Sequence, residues 1–241
     1  MKIEIKRYVN EEKLYEEQIG YEVELENATL LEVLTEIKTK QDSTLSFASG
    51  CRSSICGSCA VRVNGKEVLA CAYKPKEGDV IEPLKNMPLI RDLVVDMDHA
   101  LNFTKVAKAW AGNSTETVAL SPEDAEVNEV QSDCILCGAC YSACPVYAVN
   151  SEFIGPFALT RSWRYVSDKR EGEVAEKIDA VQTNGIWDCT LCGECVPVCP
   201  QGIAPKSDID MLRNKSGILG YMDPKFASGF GGGLDFGAPS F

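Results

Sequence analysis

The chain has little histidine, few basic residues and no long apolar run. Each of these shortages argues against a class of function. His99 is the only histidine among 241 residues, so histidine-based acid–base chemistry has almost nothing to work with. The formal net charge of −12 argues against nucleic acid or an anionic lipid surface as a direct partner. No stretch approaches the ~20 apolar residues that span a bilayer, and the start MKIEIKRYV lacks the apolar core of a secretory signal. We therefore expect neither a membrane span nor a signal.

Cysteine is abundant by contrast, and its spacing is the most informative feature of the chain. The twelve cysteines form three groups of four with none left over. The first group has the spacing of a plant-type [2Fe–2S] ferredoxin, and the others have the CxxCxxCxxxCP run that builds paired clusters in bacterial ferredoxins. The groups are Cys51-x4-Cys56-x2-Cys59-x11-Cys71, Cys134-x2-Cys137-x2-Cys140-x3-Cys144 and Cys189-x2-Cys192-x2-Cys195-x3-Cys199. We predict one [2Fe–2S] and two [4Fe–4S] clusters, and a role in carrying single electrons.

Disulfides and zinc are the alternatives for so many cysteines. Disulfide-rich chains are typically short and secreted, which fits a chain of 241 residues poorly. Zinc would find four ligands in each group, but zinc sites rarely use the CxxCxxCxxxCP run. A zinc-stabilised adaptor without redox chemistry therefore stays open as an alternative. The brown colour of an iron–sulfur protein would distinguish the two.

The two CxxCxxCxxxCP runs form an internal repeat with a predicted exchange of ligands. In two-cluster ferredoxins each run gives three cysteines to one cluster and its fourth to the other. Applied here, one set is Cys134, Cys137, Cys140 and Cys199, and the other is Cys144, Cys189, Cys192 and Cys195. The exchange would tie together distant segments of the chain, so metal binding should also stabilise the fold.

The first hundred residues predict a small mixed sheet crossed by one helix. Residues 2–8 and 20–25 alternate polar and apolar side chains, as half-buried strands do. Thr29 opens a helix with a capping box, and the turn at residues 64–65 joins two short strands. We therefore predict an α+β chain that begins with a β-grasp domain of the plant-type ferredoxin kind, at residues 1–103 including the linker.

The rest of the chain predicts a helical domain and a tail. Residues 104–219 are assigned to an all-α domain of the bacterial two-cluster ferredoxin type. Residues 84–120 are read as a bridge with some helical periodicity. Helix starts or spans are expected at Ser121-Pro122, about 156–167, about 171–183 and 205–214. Residues 220–241 form a glycine- and aromatic-rich tail, either a disordered end or an arm that places its rings on a partner subunit.

The order of motifs resembles the iron–sulfur subunit of the succinate dehydrogenase/fumarate reductase family over about residues 1–215. Residues 51–59 (CRSSICGSC) are close to that family's first cluster loop, and residues 63–65 followed by 69–71 are similar to its hairpin and fourth ligand. Residues 90–96 (IRDLVVD) look like the linker between its two domains. The resemblance implies an electron-transfer subunit without a substrate site of its own.

Two departures from the commonest family members bear on the last cluster. Those members hold a [3Fe–4S] cluster with a non-cysteine at the position of Cys192, and a histidine where this chain has Thr190. They also carry a serine and a tryptophan where this chain has Val146 and Tyr147. The pattern is similar to the type E branch, which includes methylmenaquinol:fumarate reductases. The resemblance thus implies [4Fe–4S] as the third cluster, with [3Fe–4S] as the variant, and no quinone pocket of the usual kind.

The resemblance also implies partners and a location. An FAD-containing catalytic subunit would exchange electrons with the chain, and a cysteine-rich or haem membrane-anchor subunit would handle quinone. The protein would then be peripheral on the membrane through its partners, on the cytoplasmic side by default. The periplasmic side stays open through co-export with a partner that carries a twin-arginine signal. The direction of the reaction is not readable from the chain. The alternative function is an iron–sulfur subunit of another flavoprotein system, such as a heterodisulfide or thiol-driven fumarate reductase.

Five further residues are predicted to tune the clusters. Backbone amides near Gly57 and Ser58, and near Gly138 and Gly193, are expected to donate to cluster sulfurs and so favour the reduced state. Arg52 follows a ligand, and its charge would raise the potential of the first cluster. A solvent-facing ion pair is the other interpretation of Arg52.

Overall fold

The computed structural model describes residues 1–8, 16–114 and 117–227. The elements of the first half are β1 Lys2–Tyr8, β2 Glu16–Glu22, α1 Leu30–Lys40, β3 Ala60–Val63, β4 Lys66–Leu69, β5 Val80–Glu82, β6 Leu89–Arg91, β7 Val94–Val95 and α2 Asp98–Val106. The second half contains α3 Pro122–Glu126, α4 Glu129–Ser132, α5 Ala139–Ser142, α6 Pro145–Val149, α7 Pro156–Val166, α8 Val174–Ala180, α9 Pro205–Ile218 and α10 Pro224–Ala227. Sheet therefore precedes helix along the chain, and the predicted α+β class is confirmed.

The first half folds as a five-stranded mixed sheet with one helix against it. The strand order is β2-β1-β5-β3-β4, in which β1 and β5 are parallel and the other pairs are antiparallel. Thr29 caps α1 in a capping box with Glu32, as predicted. The apolar face of α1 is buried against the sheet, where it covers Ile3, Ile5 and Ile81. This core also includes Cys59 and Cys71 of the first cysteine group.

Strand β2 differs from its prediction. The alternation of residues 20–25 predicts a strand there, whereas β2 begins at Glu16 and ends at Glu22. The reason is its partner: every residue of β1 pairs with β2, from Lys2 opposite Glu22 to Tyr8 opposite Glu16. Because strands pair through main-chain hydrogen bonds, polar residues can extend a strand beyond the segment that its hydrophobic pattern predicts.

The segment after the sheet contains a second, two-stranded hairpin that the sequence pattern does not reveal. Strands β6 and β7 pair across a tight turn at Asp92, whose φ is +47°. Asp92 is fully buried and accepts hydrogen bonds from Arg7 Nε at 2.8 Å, the Tyr8 amide at 3.2 Å and the Ser46 amide at 2.8 Å. The linker is thereby fixed to the β-grasp core.

The second half packs its helices around α7. Helix α7 lies against α9, α2 and α8, and buries Phe157, Leu159 and Val166. Helix α8 is shorter than predicted, because the chain before it is held by Glu171 and Glu173, whose carboxylates accept from the amides of residues 112 and 113. Helix α9 is longer than predicted and continues to Ile218.

The two halves are in direct contact. Ser142 accepts a hydrogen bond from the Lys85 amide at 2.9 Å and donates to Glu67 at 2.7 Å. Asn86 donates to the carbonyls of Tyr141 and Ser142, at 3.0 and 2.9 Å. The sheet domain therefore rests on the first cysteine run of the helical domain.

Two further observations concern membrane-spanning helices and the C-terminal tail. Among the described residues, no helix has both the length and the apolar character needed to cross a bilayer. Of the predicted tail, residues 220–227 are described and include α10, whereas residues 228–241 lie outside the described part of the chain. Tyr221 packs on the helical core and donates to Asp179 at 3.0 Å, so it belongs to the fold.

Candidate metal centres

The first cysteine group lies on a loop whose amides point at sulfur. Cys51 Sγ accepts from the backbone amides of Ser53, Ile55 and Cys56, at 3.4, 3.3 and 3.3 Å. The Cys51 amide in turn donates to Cys56 Sγ at 3.3 Å. Arg52 and Ser54 have φ values of +60° and +61°, a left-handed conformation that non-glycine residues seldom adopt. The loop is thus bent so that its donors face inward.

The fourth member of this group, Cys71, reaches the loop from the end of the β3–β4 hairpin. The Ser54 amide donates to Cys71 Sγ at 3.2 Å, and the Ser54 hydroxyl lies 3.6 Å from the same sulfur. Gly50 passes so close to the group that a Cβ there would lie 2.8 Å from Cys56 Sγ. Only glycine fits this approach.

The thiols of this first group differ in acidity. Hydrogen bonds, first from the Ser58 side chain, lower the pKa of Cys56 to about 6. Burial raises the pKa of Cys59 to about 11. The exposed side of the loop therefore carries the more acidic thiol, while the buried side must lose a proton when metal binds.

The second ligand set is assembled from both CxxCxxCxxxCP runs. One cavity is lined by Cys134, Cys137, Cys140 and Cys199 together. Phe157, Ile203 and Pro205 supply apolar walls to the same cavity. Three cysteines of the first run thus meet the fourth cysteine of the second run, which is the crossing that the repeat predicts.

The third ligand set shows the reciprocal arrangement. The thiol of Cys144 lies close enough to Cys189 and Cys192 for charge on their sulfurs to raise its pKa. Cys195 is likewise close enough to Cys189, Cys144 and Cys192 for charge on their sulfurs to raise its pKa. Amides also point at these sulfurs, since the Tyr147 amide donates to Cys144 Sγ and the Leu191 amide to Cys189 Sγ, each at 3.4 Å.

Burial dominates the acidity of the thiols in the helical domain. It raises the pKa of Cys137 to about 11 and that of Cys195 to about 12. The pKa of the buried Cys140 rises well above its ordinary value for the same reason. These thiols stay protonated without a cation, so a metal centre that binds them releases protons.

The donor sets fit iron–sulfur clusters. All twelve cysteines lie in the described residues, and none forms a disulfide, which removes the disulfide scaffold as an interpretation. Among the described residues, no three His, Cys, Asp or Glu side chains converge as a group that could hold one metal ion. A cluster spreads its four thiolates around a core of several atoms and needs no such convergence. Four thiols to a set, with amides directed at sulfur, match the ligation of such clusters.

The predicted non-cysteine residues occupy different places. Ser58 contacts Cys56 through its side chain and its amide. Gly138 and Gly193 provide left-handed turns with φ of +81° and +89°. The amide of Ala139, next to Gly138, points at the sulfur of Cys137. Arg52 is exposed beside Cys71, and no ion pair involving it occurs among the described residues.

Sequence reasoning missed two kinds of residue at the centres. Leu136 and Leu191 both have φ of +54° at the same position of the two runs, and their amides point at the first cysteine of each run. The tripeptide Leu-Cys-Gly, which is repeated in both runs, is the signal that could have revealed them. Ser54 was also missed, because nothing in its local sequence indicates that it contacts Cys71.

Two family descriptions match the chain. Residues 2–102 match the 2Fe-2S iron-sulfur cluster binding domain, and residues 130–203 match the 4Fe-4S dicluster domain. These matches place the sheet domain and the helical domain in two separate ferredoxin-type families.

Curated relatives match nearly the whole chain. The fumarate reductase iron-sulfur subunit of Haemophilus influenzae is 35% identical over 93% of this chain and 97% of the relative. The corresponding subunit of Mycobacterium tuberculosis is 38% identical over 88% and 90%. The 8-methylmenaquinol:fumarate reductase iron-sulfur subunit of Wolinella succinogenes is 37% identical over 86% of this chain and 70% of the relative. These relatives favour the fumarate reductase and succinate dehydrogenase interpretation over the alternatives.

A solved structure shares the fold. A chain of the Mycobacterium smegmatis Sdh1 complex in the apo form superposes with a TM-score of 0.77 at 20% identity, over 92% of this chain and 97% of the other. At this identity the likeness concerns the fold, and it covers both domains together.

Proposed function

The chain belongs to the family of iron–sulfur subunits of fumarate reductases and succinate dehydrogenases, and from that premise we propose that its thiols hold three clusters in the ligand sets described above. When bound, these clusters supply single-electron carriers between a flavin-containing partner and a quinone-reactive partner. The chain itself provides ligands, insulation and alignment, and has no substrate site of its own.

The observation that carries this proposal is the continuity of the three ligand sets. A Cβ on Gly57, in the first loop, would lie 2.8 Å from Cys137 Cβ, so that loop touches the second set. Cys140 of the second set is within electrostatic range of Cys195 of the third. The three sets are therefore neighbours along the protein, which supports a relay of single electrons.

Different residues of the chain stabilise charge on the sulfurs and exclude water from them. Amides from Ser53, Ile55 and Cys56 face Cys51 Sγ and stabilise negative charge on it. Apolar side chains such as Phe157 and Ile203 keep water away from the second set. Hydrogen bonding and burial of this kind are the means by which a protein adjusts cluster potentials.

We propose that the partners meet the relay at its two ends. The thiols of Cys51 and Cys56 are exposed at one end, beside Ile55, which is 69% exposed. Cys192 is exposed at the other end. We assign the first end to the FAD subunit and the second to a membrane subunit, so that the chain is peripheral on the membrane, on the cytoplasmic side unless a partner exports it.

We further propose that the third cluster is [4Fe–4S] and that the complex is of the methylmenaquinol:fumarate reductase kind. Cys192 completes a fourth thiol in the third set, and the similarity to the Wolinella succinogenes subunit supports the choice. Thr190 follows Cys189 in the chain, and the buried Tyr147 donates its amide to Cys144 Sγ at 3.4 Å.

Low-temperature EPR of the oxidised protein tests this assignment. We expect no strong [3Fe–4S] signal from the wild type, and we expect Cys192→Ser to create one or to weaken the cluster. Thr190→Ser, a change at a neighbouring position without a thiol, serves as the control and should leave the spectrum unchanged. A full-strength three-iron signal from the wild type would show that Cys192 is not a ligand.

A further inference from the structure

One residue outside the predicted ligands joins the first two ligand sets. Gln201 lies two residues after Cys199, and its Nε2 donates to the Ser54 carbonyl at 3.1 Å, across 147 positions of sequence. Gln201 also lines the cavity that holds Cys134, Cys137, Cys140 and Cys199. The contact therefore runs from the wall of the second set to the loop of the first.

The amide, the hydroxyl and the carbonyl of Ser54 all make contacts at this junction. Its amide donates to Cys71 Sγ at 3.2 Å, its hydroxyl lies 3.6 Å from that sulfur, and its carbonyl accepts from Gln201. Its φ of +61° is uncommon for serine. Left-handed residues of this kind persist where the surroundings hold them, and they concentrate at functional sites.

The loop that presents Gln201 is itself tightly turned. The Gly202 amide donates to the Cys199 carbonyl at 3.2 Å, and Gly202 has a φ of +69°. The turn follows directly from Cys199, a ligand of the second set. Gln201 is thus placed by the same turn that places the ligand.

We propose that Gln201 is a positioning residue that holds the loop of the first ligand set against the second set. The proposal rests on the function proposed above. The chain of contacts runs from Cys71 Sγ through Ser54 to Gln201 and Cys199, and it lies alongside the direct packing of Gly57 on Cys137. Loss of the Gln201 hydrogen bond would let the first loop open away from its neighbour without removing any ligand.

The test replaces the donor while keeping the length of the side chain. Gln201→Met removes the hydrogen bond, and Gln201→Lys supplies a donor again, so it should restore the wild-type behaviour. Gln18→Met is the matched control, because Gln18 lies on β2 and donates to Glu4, far from the cysteines in sequence. All variants are prepared anaerobically as the full chain with its clusters, and iron is counted first.

Two readouts follow, neither of which is enzyme activity. A neutral hydrogen bond contributes ~1 kcal/mol, so amide hydrogen exchange of residues 51–59 should become about fivefold faster in Gln201→Met. The spin–spin interaction between the reduced first and second clusters should weaken in the same variant. The iron content should stay unchanged.

Every outcome decides the proposal. Faster exchange and weaker coupling in Gln201→Met, with recovery in Gln201→Lys, would support it. Unchanged exchange and coupling would overturn it, and so would loss of iron, because Gln201 would then support a cluster rather than the contact. Failure of the proposed function would appear separately, as wild-type protein without iron before any variant is compared.

Discussion

The first ligand set and the two helical sets are held by different means. Cys51, Cys56 and Cys59 lie within nine residues, on a loop beside a sheet with its own apolar core. The helical sets draw on runs separated by 44 residues between Cys144 and Cys189. The helices around the first run have only four or five residues each, a length at which helices are not stable alone.

This difference suggests different roles for the metal in the two halves. In the β-grasp domain we expect the sheet and its apolar core to fold without metal, and the loop presents Cys51 and Cys56 at the surface. In the helical domain the crossed ligands join two distant runs, the first of which is flanked by very short helices, so we expect metal binding and folding to be coupled. The predictions below test this contrast, beginning with the largest expected effect.

Removing a ligand should have unequal consequences in the two halves. Cys144→Ala is expected to remove one cluster and unfold much of the helical domain, because structural metal sites can contribute on the order of 10 kcal/mol to folding. Cys51→Ala should remove the [2Fe–2S] cluster and leave the helical domain protected. Amide hydrogen exchange of residues 156–218 measures the difference. Equal loss of protection in the two variants would show that the two domains do not differ in how strongly their folding depends on metal.

The sheet domain contains a buried ion pair between Arg7 and Asp92. Burial opposes the charge of Arg7, yet hydrogen bonds to Asp92, Tyr21 and Asp42 raise its pKa above the ordinary value. Asp92→Ala would leave Arg7 with Asp42 as its remaining ionic partner and would remove the acceptor of the Tyr8 and Ser46 amides, so it should lower the free energy of unfolding by about 3 kcal/mol. Urea unfolding of the full chain measures the loss.

Arg91→Ala is the control for the ion pair. Its Nε lies 3.9 Å from Asp92, and its side chain is 49% exposed, so its loss should cost no more than ~1 kcal/mol. A similar cost for both variants would mean that the buried network does not hold the domain.

The helical domain contains the opposite case: Asp208 is a buried carboxylate that forms no ion pair with any cation in the described part of the chain. Asp208 accepts from Gln131 at 2.8 Å and Thr160 at 2.9 Å, and burial raises its pKa from 3.8 to about 6. The folded state therefore holds the proton more tightly than the unfolded state, and stability falls as pH rises from about 4 to 6. Above pH 6 the penalty approaches about 3 kcal/mol.

Asp208→Asn should abolish this pH dependence. The variant should be more stable than the wild type at pH 7.5, and the advantage should shrink toward pH 5. Chemical unfolding at several pH values, with the clusters intact, measures it. An advantage that does not vary with pH would assign the effect to packing instead of charge.

The smallest effect concerns the junction between the halves. Gly57 has a φ of +74°, and an added Cβ would lie 2.8 Å from Cys137. Gly57→Ala should therefore cost about 1–3 kcal/mol more than Gly78→Ala. Gly78 has a φ of +81° with open space around it, so it reports the conformational cost alone. Thermal unfolding of the two variants gives the comparison, and equal costs would show that the loops do not press on each other.

Local sequence patterns predict much of the secondary structure and the cysteine groups of this molecule. The features that they miss depend on contacts between residues far apart in the sequence. The cap at Thr29 and the buried face of α1 are confirmed because capping and helical periodicity act within a few residues. The β6–β7 hairpin escapes prediction because its turn depends on Asp92 being held by Arg7, 85 positions away. Ser54 and Gln201 escape for the same reason, since their contact exists only after both domains have folded.

Chemical analysis of iron and acid-labile sulfide, on full-length protein purified without oxygen, bears most directly on the assignment of the twelve cysteines. The ligand sets proposed for this chain predict about ten iron atoms per chain, with sulfide in equal amount and a brown colour. Zinc in place of iron, or colourless protein without metal, would contradict the assignment.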